Sequence, residues 1–173
     1  RAKPMKCIKK LVALTLAAVL ALTMLTACGG TADTKSVADK VADIINAERV
    51  AANHTELPRA TEVDKLWSPL AELLAAHAAN PTEESAAALQ AKGDATYAEY
   101  INMTIDGKQI DTEASKRKAL RNVVDFDALA NSMKGGQNGW EWLIEGDYDY
   151  ISVASAEKDG HNGVYINAIK LKD

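Results

Sequence analysis

The three histidines of this chain, considered together with Glu99, are the first candidates for acid-base or metal chemistry. No two of the histidines, His54, His77 and His161, stand at the i, i+4 spacing that places two metal ligands on one helix. His77 falls on an apolar helical stripe, where a histidine is more often a packing residue with one hydrogen bond than a ligand. A metal or acid-base site would require at least two of these histidines to converge with Glu99. The spacing itself predicts neither a metal site nor a cofactor.

Nucleophilic catalysis and calcium binding have less support in the sequence. The chain has no Gly-x-Ser-x-Gly motif, which marks the nucleophile of many hydrolases. Glu145, Asp147 and Asp149 could offer carboxylate oxygens to calcium, but their segment lacks the mid-loop glycine and the closing glutamate of an EF-hand loop. We interpret these acids as the solvated start of a strand.

Four of the aromatic residues lie between positions 140 and 150. Flat rings give a large contact area at low entropic cost, so Trp140, Trp142 and Tyr148 are candidates for contact with a protein, peptide or glycan ligand. Core packing is the alternative, and it is favoured because aromatic side chains dominate the packing of small domains.

The N-terminus has the organisation of an export signal. Three lysines follow Met5, and residues 11–27 then run without a charge. A basic segment followed by an apolar one is typical of a secretory signal peptide, which we assign to residues 1–27. Residues 1–4 are interpreted as extra residues upstream of the natural start.

The apolar run ends in Leu25-Thr26-Ala27-Cys28-Gly29, which resembles the lipobox of bacterial lipoproteins. The resemblance implies cleavage before Cys28, a diacylglycerol on its thiol and membrane anchoring on the extracytoplasmic face, with residues 28–35 as a short tether. A transmembrane anchor is the alternative, but about 17 apolar residues are at the short end of what spans a bilayer. Because Cys7 leaves with the signal, we expect no disulfide in the mature protein.

The charge of the mature chain argues against a nucleic-acid partner. Cleavage removes five of the 20 basic residues and none of the 24 acidic ones, so the formal net charge falls from -4 to -9. An acidic domain repels polyanions. The one basic cluster, Lys116-Arg117-Lys118 with Arg121, is interpreted as a solvated helix face.

The first half of the mature chain reads as helical. Apolar spacing after Ser36, a helix-capping residue, predicts a helix that fades near Asn53. A second helix is expected to begin with Ser68 as cap and Pro69 in its first turn, since proline is poorly tolerated in a helix interior. A third helix should start near Asn80 and stop at Gly93.

The second half is expected to contain strands and short helices. Residues 97–110 are rich in β-forming side chains and include the turn pair Asp106-Gly107, which predicts a strand or a hairpin. A basic helix from Asp111 or Thr112 to about Val124 should follow, and then a short helix ending at Gly135-Gly136. Alternation in residues 148–156 and 164–171 predicts a C-terminal antiparallel hairpin. Helices first and strands last indicate an α+β layered domain.

Both ends of the mature chain resemble the CAP (SCP-like, cysteine-rich secretory protein) superfamily. Its opening two helices are similar to Ile45-Asn46-Ala47-Glu48-Arg49, Leu57-Pro58 and the run from Leu66 through Ala76-His77-Ala78. Its last two strands are similar to Tyr150-Ile151-Ser152-Val153-Ala154, the turn at Asp159-Gly160, and Val164-Tyr165-Ile166-Asn167. The resemblance implies a single CAP-like domain over residues 36–173, an α-β-α layered fold with N-terminal helices and a C-terminal antiparallel hairpin.

The middle of the chain departs from that family. Members typically carry two histidines and two acids around a central cleft, and here only Glu99, in Tyr97-Ala98-Glu99-Tyr100-Ile101, can be laid on the family's Gly-Glu-Asn-Ile motif. The resemblance therefore implies a degenerate domain that binds a ligand or a protein at the cell surface without catalysis. The alternative is a metal-assisted or acid-base hydrolase acting on envelope material, using Glu99 with His77 or His161.

Overall fold

A computed structural model describes residues 35–173, so the predictions for the signal segment and for Cys28 lie outside the described residues. The helices and strands, in chain order, are α1 (Val37–Ala51), α2 (Thr61–Ala79), α3 (Glu83–Tyr100), β1 (Thr104–Ile105), β2 (Lys108–Arg121), α4 (Phe126–Met133), α5 (Glu141–Ile144), β3 (Tyr150–Lys158) and β4 (His161–Leu171). N-terminal helices precede a four-stranded antiparallel sheet that packs against helices, which confirms the α+β class.

The sheet has the strand order β1-β2-β4-β3. A two-residue turn at Asp159 and Gly160 joins β3 to β4, and both residues have positive φ, 51° and 75°. Such turns match the right-handed twist of the strands they connect. Asp106 and Gly107 form an equivalent turn between β1 and β2, with φ of 51° and 78°. The predicted C-terminal hairpin is confirmed, and of the strand or hairpin expected around Asp106-Gly107 the structure shows a hairpin.

Helices cover both faces of the sheet. Alternate residues of β4 point to opposite sides, as the period of a strand requires. Val164 and Ile166 belong to a core shared with α1, α4 and α5, whereas Tyr165 and Ile169 belong to a second core shared with α2 and α3. The chain therefore buries apolar side chains on both faces of the sheet.

Helix α1 begins as the sequence predicts. The Ser36 hydroxyl caps it by accepting a hydrogen bond of 3.1 Å from the Asp39 amide. Val41 and Ile45, one turn apart, are fully buried against the sheet. The cap and the apolar spacing thus agree, which is why this helix was predictable.

Helix α2 corrects the expected break at Pro69. The helix starts at Thr61 and runs unbroken through the proline, and Ser68 is an interior residue whose hydroxyl donates to the Asp64 carbonyl over 2.8 Å. One missing backbone hydrogen bond is outweighed by burial, because the apolar stripe continues on both sides of the proline. The buried members of that stripe are Val63, Trp67, Leu70, Ala71, Leu74 and Ala75.

Helix α3 corrects the predicted stop at Gly93. It continues to Tyr100, so the segment from residue 97 to residue 100 is helical and not a strand. Thr96 and Tyr100 are its buried residues, and Tyr100 packs in the second core. Tertiary burial of that end extends the helix past a glycine that local propensity would make a stop.

Strand β2 replaces the predicted basic helix after Asp111. Its second half, residues 116–121, pairs in register with residues 163–168 of β4. A bulge separates Asp111 from Lys116, and the Asp111 carboxylate accepts hydrogen bonds from the Glu113 and Ala114 amides there. Pairing with a buried central strand overrides the helix propensity of the lysine, arginine and alanine residues.

Arg49, near the end of α1, is a buried structural arginine with 2% of its surface exposed. Its guanidinium donates to the carbonyls of Leu143, Ile144 and Gly146 at 2.7 to 3.1 Å, and its Nε donates to Thr55. Two of these carbonyls end helix α5, where backbone acceptors lack helical partners and a cation is favoured. Burial lowers the pKa of the guanidinium, and the negative charge of Asp147 opposes that effect.

Candidate functional site

The residues proposed for acid-base chemistry do not form one site. His77 lies on α2, and its Nδ1 is 2.7 Å from the Ser85 hydroxyl of α3. Glu99 lies on α3, fourteen residues beyond Ser85, which corresponds to about 21 Å along the helix axis. His77 and Glu99 are therefore too far apart to share a metal ion or a proton.

The other histidines have local roles. His161 opens β4, and its Nδ1 is 3.0 Å from the Asn122 side-chain oxygen just beyond β2. His54 follows α1 and is half-buried, as is His161. Within residues 35–173, no group of three or more histidine, cysteine, aspartate or glutamate side chains is arranged to hold a metal ion.

The carboxylates near the start of β3 are engaged by one lysine. The Lys170 ammonium is 2.9 Å from Asp147 and 3.6 Å from Asp149. Its hydrogen bond lowers the pKa of Asp147, while Asp149 also accepts from the Leu171 amide over 2.8 Å. These carboxylates fasten the last strand, as expected for the solvated start of a strand.

The aromatic segment mostly faces the first core. Trp140 is 4% exposed, and the Lys118 ammonium lies 3.8 Å from its ring centroid, so that ring offers no face to a ligand. Trp142 and Tyr148 are half-buried against the same core, and the Trp142 indole donates to the Gly139 carbonyl. Of the three proposed contact residues, only Trp142 and Tyr148 retain solvent-exposed surface.

An open cleft of about 470 Å³ lies between α3, α2 and β2, and we call it the α3–β2 cleft. Helix α3 contributes residues spaced three or four apart, which places them on one face. Small side chains on this face leave the space open, since a Cβ at Gly93 would have no neighbour within 4 Å. The residues that line the cleft are Trp67, Leu70, His77, Ala86, Leu89, Gln90, Gly93, Asp94, Tyr97, Arg117, Lys118, Ala119 and Tyr165.

Arg117 of β2 lies against an aromatic cluster in this cleft. Its guanidinium carbon is 4.1 Å from the ring centroid of Tyr97, 5.5 Å from Trp67 and 5.8 Å from Tyr100. The rings also contact one another, with Trp67 5.8 Å from Tyr100 and 5.4 Å from Tyr165. Cation–π attraction holds the arginine in place without using its hydrogen-bond donors.

These donors remain available for a ligand. In the described part of the chain, the Arg117 side chain makes no hydrogen bond and no ion pair, although it is exposed. The buried Trp67 indole N–H and the Tyr100 hydroxyl also have no hydrogen-bond partner there. Burial raises the pKa of Tyr100, so this hydroxyl keeps its proton. Unpartnered buried polar groups are rare in folded proteins, but these two atoms are closed off from solvent and Tyr100 does not line the cleft, so the exposed donors offered to a ligand are those of Arg117.

Sequence reasoning missed this site because its parts were assigned to other elements. Tyr97 was placed at the start of a strand, and Arg117 on a solvated helix face. The available signal was the i, i+3 spacing of Tyr97 and Tyr100, which is typical of two rings on one side of a helix.

The chain matches no protein-family model, and no curated protein and no solved structure is significantly similar to it.

Proposed function

We propose that this chain is a cell-envelope lipoprotein with a degenerate CAP-like domain that binds a carboxylate-bearing ligand in the α3–β2 cleft without catalysis. One observation carries the proposal: the Arg117 guanidinium is held by three aromatic rings and makes no ion pair within residues 35–173. A planar guanidinium fixed in this way can bind a carboxylate through two parallel hydrogen bonds. The surrounding rings supply apolar contact for the rest of the ligand.

The contacts of the Ser85 hydroxyl and of the His77 imidazole, which lines the cleft, favour binding over hydrolysis. Ser85 is 2.7 Å from His77, but its hydroxyl is part of the cap of α3, where its oxygen accepts from the Thr82 amide and lies 2.9 Å from the Thr82 carbonyl and 3.3 Å from the Asn80 carbonyl. A serine nucleophile needs a free hydroxyl and a base that a third group orients. In the described residues, no carboxylate contacts His77.

The tether would hold this cleft near the membrane. Eight residues separate Cys28 from the start of α1 at Val37, which allows a span of at most about 30 Å. None of the helices described in residues 35–173 has the length and apolar character needed to cross a bilayer. In this proposal, attachment depends on the lipid at Cys28, and the partners are the membrane and a protein, peptide or glycan that bears the carboxylate.

Replacing Cys28 with alanine is expected to abolish lipid labelling. Cells that express the full chain are grown with radiolabelled palmitate, and the protein is followed by autoradiography and membrane fractionation. The wild type should carry label in the membrane fraction, whereas Cys28→Ala should lose nearly all of it because the acceptor thiol is gone. Cys7→Ala is the matched control and should keep its label. Label retained by Cys28→Ala would contradict the lipobox assignment.

Replacing Arg117 with glutamine is expected to weaken carboxylate binding by about tenfold, because a hydrogen bond to a charged group contributes about 1.5–3 kcal/mol. The probe is N-acetyl-phenylalanine, titrated into ¹⁵N-labelled residues 35–173. Binding should shift the Arg117 Nε–Hε and Gly93 amide resonances. The neutral amide of the same compound should bind more weakly.

Lys158→Gln is the control for charge, since Lys158 is exposed and lies outside the cleft. It should bind the probe as the wild type does. Equal affinity of wild type and Arg117→Gln, or shifts confined to residues outside the cleft, would remove the basis of the proposal.

A further inference from the structure

The outer edge of β2 has no strand partner over its second half. Strand β1 pairs with β2 only at Lys108 and Gln109. From Lys116 to Arg121, the described residues pair with β2 on one side alone, through β4. The opposite side is therefore a free sheet edge, and this segment also lines the α3–β2 cleft.

The hydrogen-bond pattern indicates which backbone groups face this edge. Just beyond β2, the Asn122 amide donates to the Asn162 carbonyl over 2.9 Å, directly across from it. Directly opposed residues in antiparallel strands alternate between bonded and non-bonded pairs. The even-numbered residues of this segment therefore bond to β4, and Arg117, Ala119 and Arg121 turn their N–H and C=O groups to the free edge.

The same edge concentrates positive charge in an acidic protein. Four cations, Lys116, Arg117, Lys118 and Arg121, lie within six positions, and none of them makes an ion pair within residues 35–173. Alternation divides them between the two sides of the strand, with Arg117 toward Tyr97 and Lys118 toward Trp140. Arg121 lies four positions after Arg117 and therefore on the same face of the strand, the cleft side.

We propose that an extended acidic peptide binds here as an added antiparallel strand on the free edge of β2. This inference rests on the proposed function, because it names the carboxylate-bearing ligand of the α3–β2 cleft as a peptide. Three residues of β2 offer both backbone groups to it, and every second peptide side chain enters the cleft. Peptide carboxylates on that side meet Arg117 and Arg121, and those on the other side meet the two lysines.

Charged side chains on an edge strand also protect proteins from aggregation, and this role alone would explain the lysines. It does not explain a cleft beside the edge, nor an arginine held by rings with its donors free. Strand addition and simple edge protection differ in whether the peptide backbone takes part in binding.

The test measures, by fluorescence anisotropy, the affinity of a set of synthetic peptides for residues 35–173. The probe is acetyl-Glu-Val-Glu-Val-Glu-Val-Glu-amide carrying a terminal fluorophore, and its glutamine analogue controls for charge. In an antiparallel added strand, residues on the cleft side point their own N–H groups at β2. Methylating the amide nitrogens of the glutamates should therefore weaken binding at least about tenfold, for the loss of two or more hydrogen bonds. Methylating those of the valines should change it less than about threefold.

A protein variant tests the same pairing from the other side. Ala119→Pro removes an outward N–H that β4 does not use, and edge strands tolerate proline at such positions. Ala119→Val has a similar volume and keeps the N–H. The proline variant should bind the peptide about tenfold more weakly than the valine variant, with circular dichroism confirming that both are folded.

Equal affinities of the two methylated peptides would overturn strand addition, and a difference in the opposite sense would overturn the placement of the glutamates on the cleft side. If N-acetyl-phenylalanine still binds in an Arg117-dependent way, the proposed function survives that result. If neither probe binds, both proposals fall. A dimer of the chain without peptide that Ala119→Pro dissociates would assign the edge to a second copy and overturn the peptide proposal.

Discussion

Arg49→Met is expected to lower the free energy of unfolding of residues 35–173 by about 4 kcal/mol, a large part of the stability of a domain of this size. The arginine is buried and donates to four backbone carbonyls, on the α1–α2 connection and at the end of α5. Methionine fills a similar volume but leaves those acceptors without donors and without water. Each buried unsatisfied group costs about 1–3 kcal/mol.

The measurement is urea unfolding followed by circular dichroism, with thermal melts as a second readout. The midpoint temperature should fall by about 10–15 °C. Arg49→Lys should recover part of the loss, because one ammonium group can reach some of the carbonyls but lacks the planar fork of donors. Lys158→Met removes an exposed positive charge and should stay within about 0.5 kcal/mol of the wild type. A similar stability for Arg49→Met and Lys158→Met would show that the carbonyls find other donors.

This prediction also bears on the sequence resemblance. Arg49 ends the Ile45–Arg49 stretch on which the proposed resemblance to CAP proteins partly rests. In the structure it joins α1 to the turn after α5, and so it ties together segments nearly a hundred residues apart. The packing of Arg49 accounts for this residue without any role in a reaction.

The elements predicted correctly are those in which local signals and burial agree. Helix α1 has a capping serine and apolar residues at helical spacing, and the C-terminal hairpin has alternation and an Asp-Gly turn. These features act within a few residues of each other. They therefore need no knowledge of the rest of the fold.

The helix predicted in place of strand β2 was wrong because the strand forms only through pairing with distant residues. Its residues from Lys116 to Arg121 are mostly good helix formers and do not alternate between apolar and polar types. They adopt a strand because β4 supplies one side of a ladder, more than forty residues later. An edge strand that buries little of either face has no periodic apolar signature to read.

The candidate site could not be predicted for the same reason. Its rings come from α2, α3 and β4, and its cation comes from β2. Assigning β2 as a helix removed the strand that carries Arg117 and also removed the free edge. A single error of secondary structure therefore hid both the cleft and the surface beside it.

Gly163→Ala is expected to lower the free energy of unfolding by about 3 kcal/mol or more. Gly163 lies in β4 where the strand crosses α2, and a Cβ there would stand 2.6 Å from the Ala71 carbonyl oxygen and 2.8 Å from the Ala75 nitrogen. Both neighbours are backbone atoms of fully buried residues, so no side-chain rotation can relieve the contact. Overpacking of this kind typically costs about 1–3 kcal/mol when neighbours can shift.

Alanine substitutions at two other glycines are expected to change the free energy of unfolding in opposite directions. A Cβ at Gly160 meets nothing within 4 Å, but its φ of 75° disfavours alanine, so Gly160→Ala should cost about 1 kcal/mol. Gly93 lies inside α3 with open space around it and no positive φ, so Gly93→Ala should stabilise by about 0.5–1 kcal/mol. Urea unfolding of the three variants separates steric exclusion, backbone strain and helix propensity. If Gly163→Ala were no more destabilising than Gly160→Ala, α2 could move away from the sheet. The close approach of α2 to β4 at Gly163 would then not be required to position α2 beside the α3–β2 cleft.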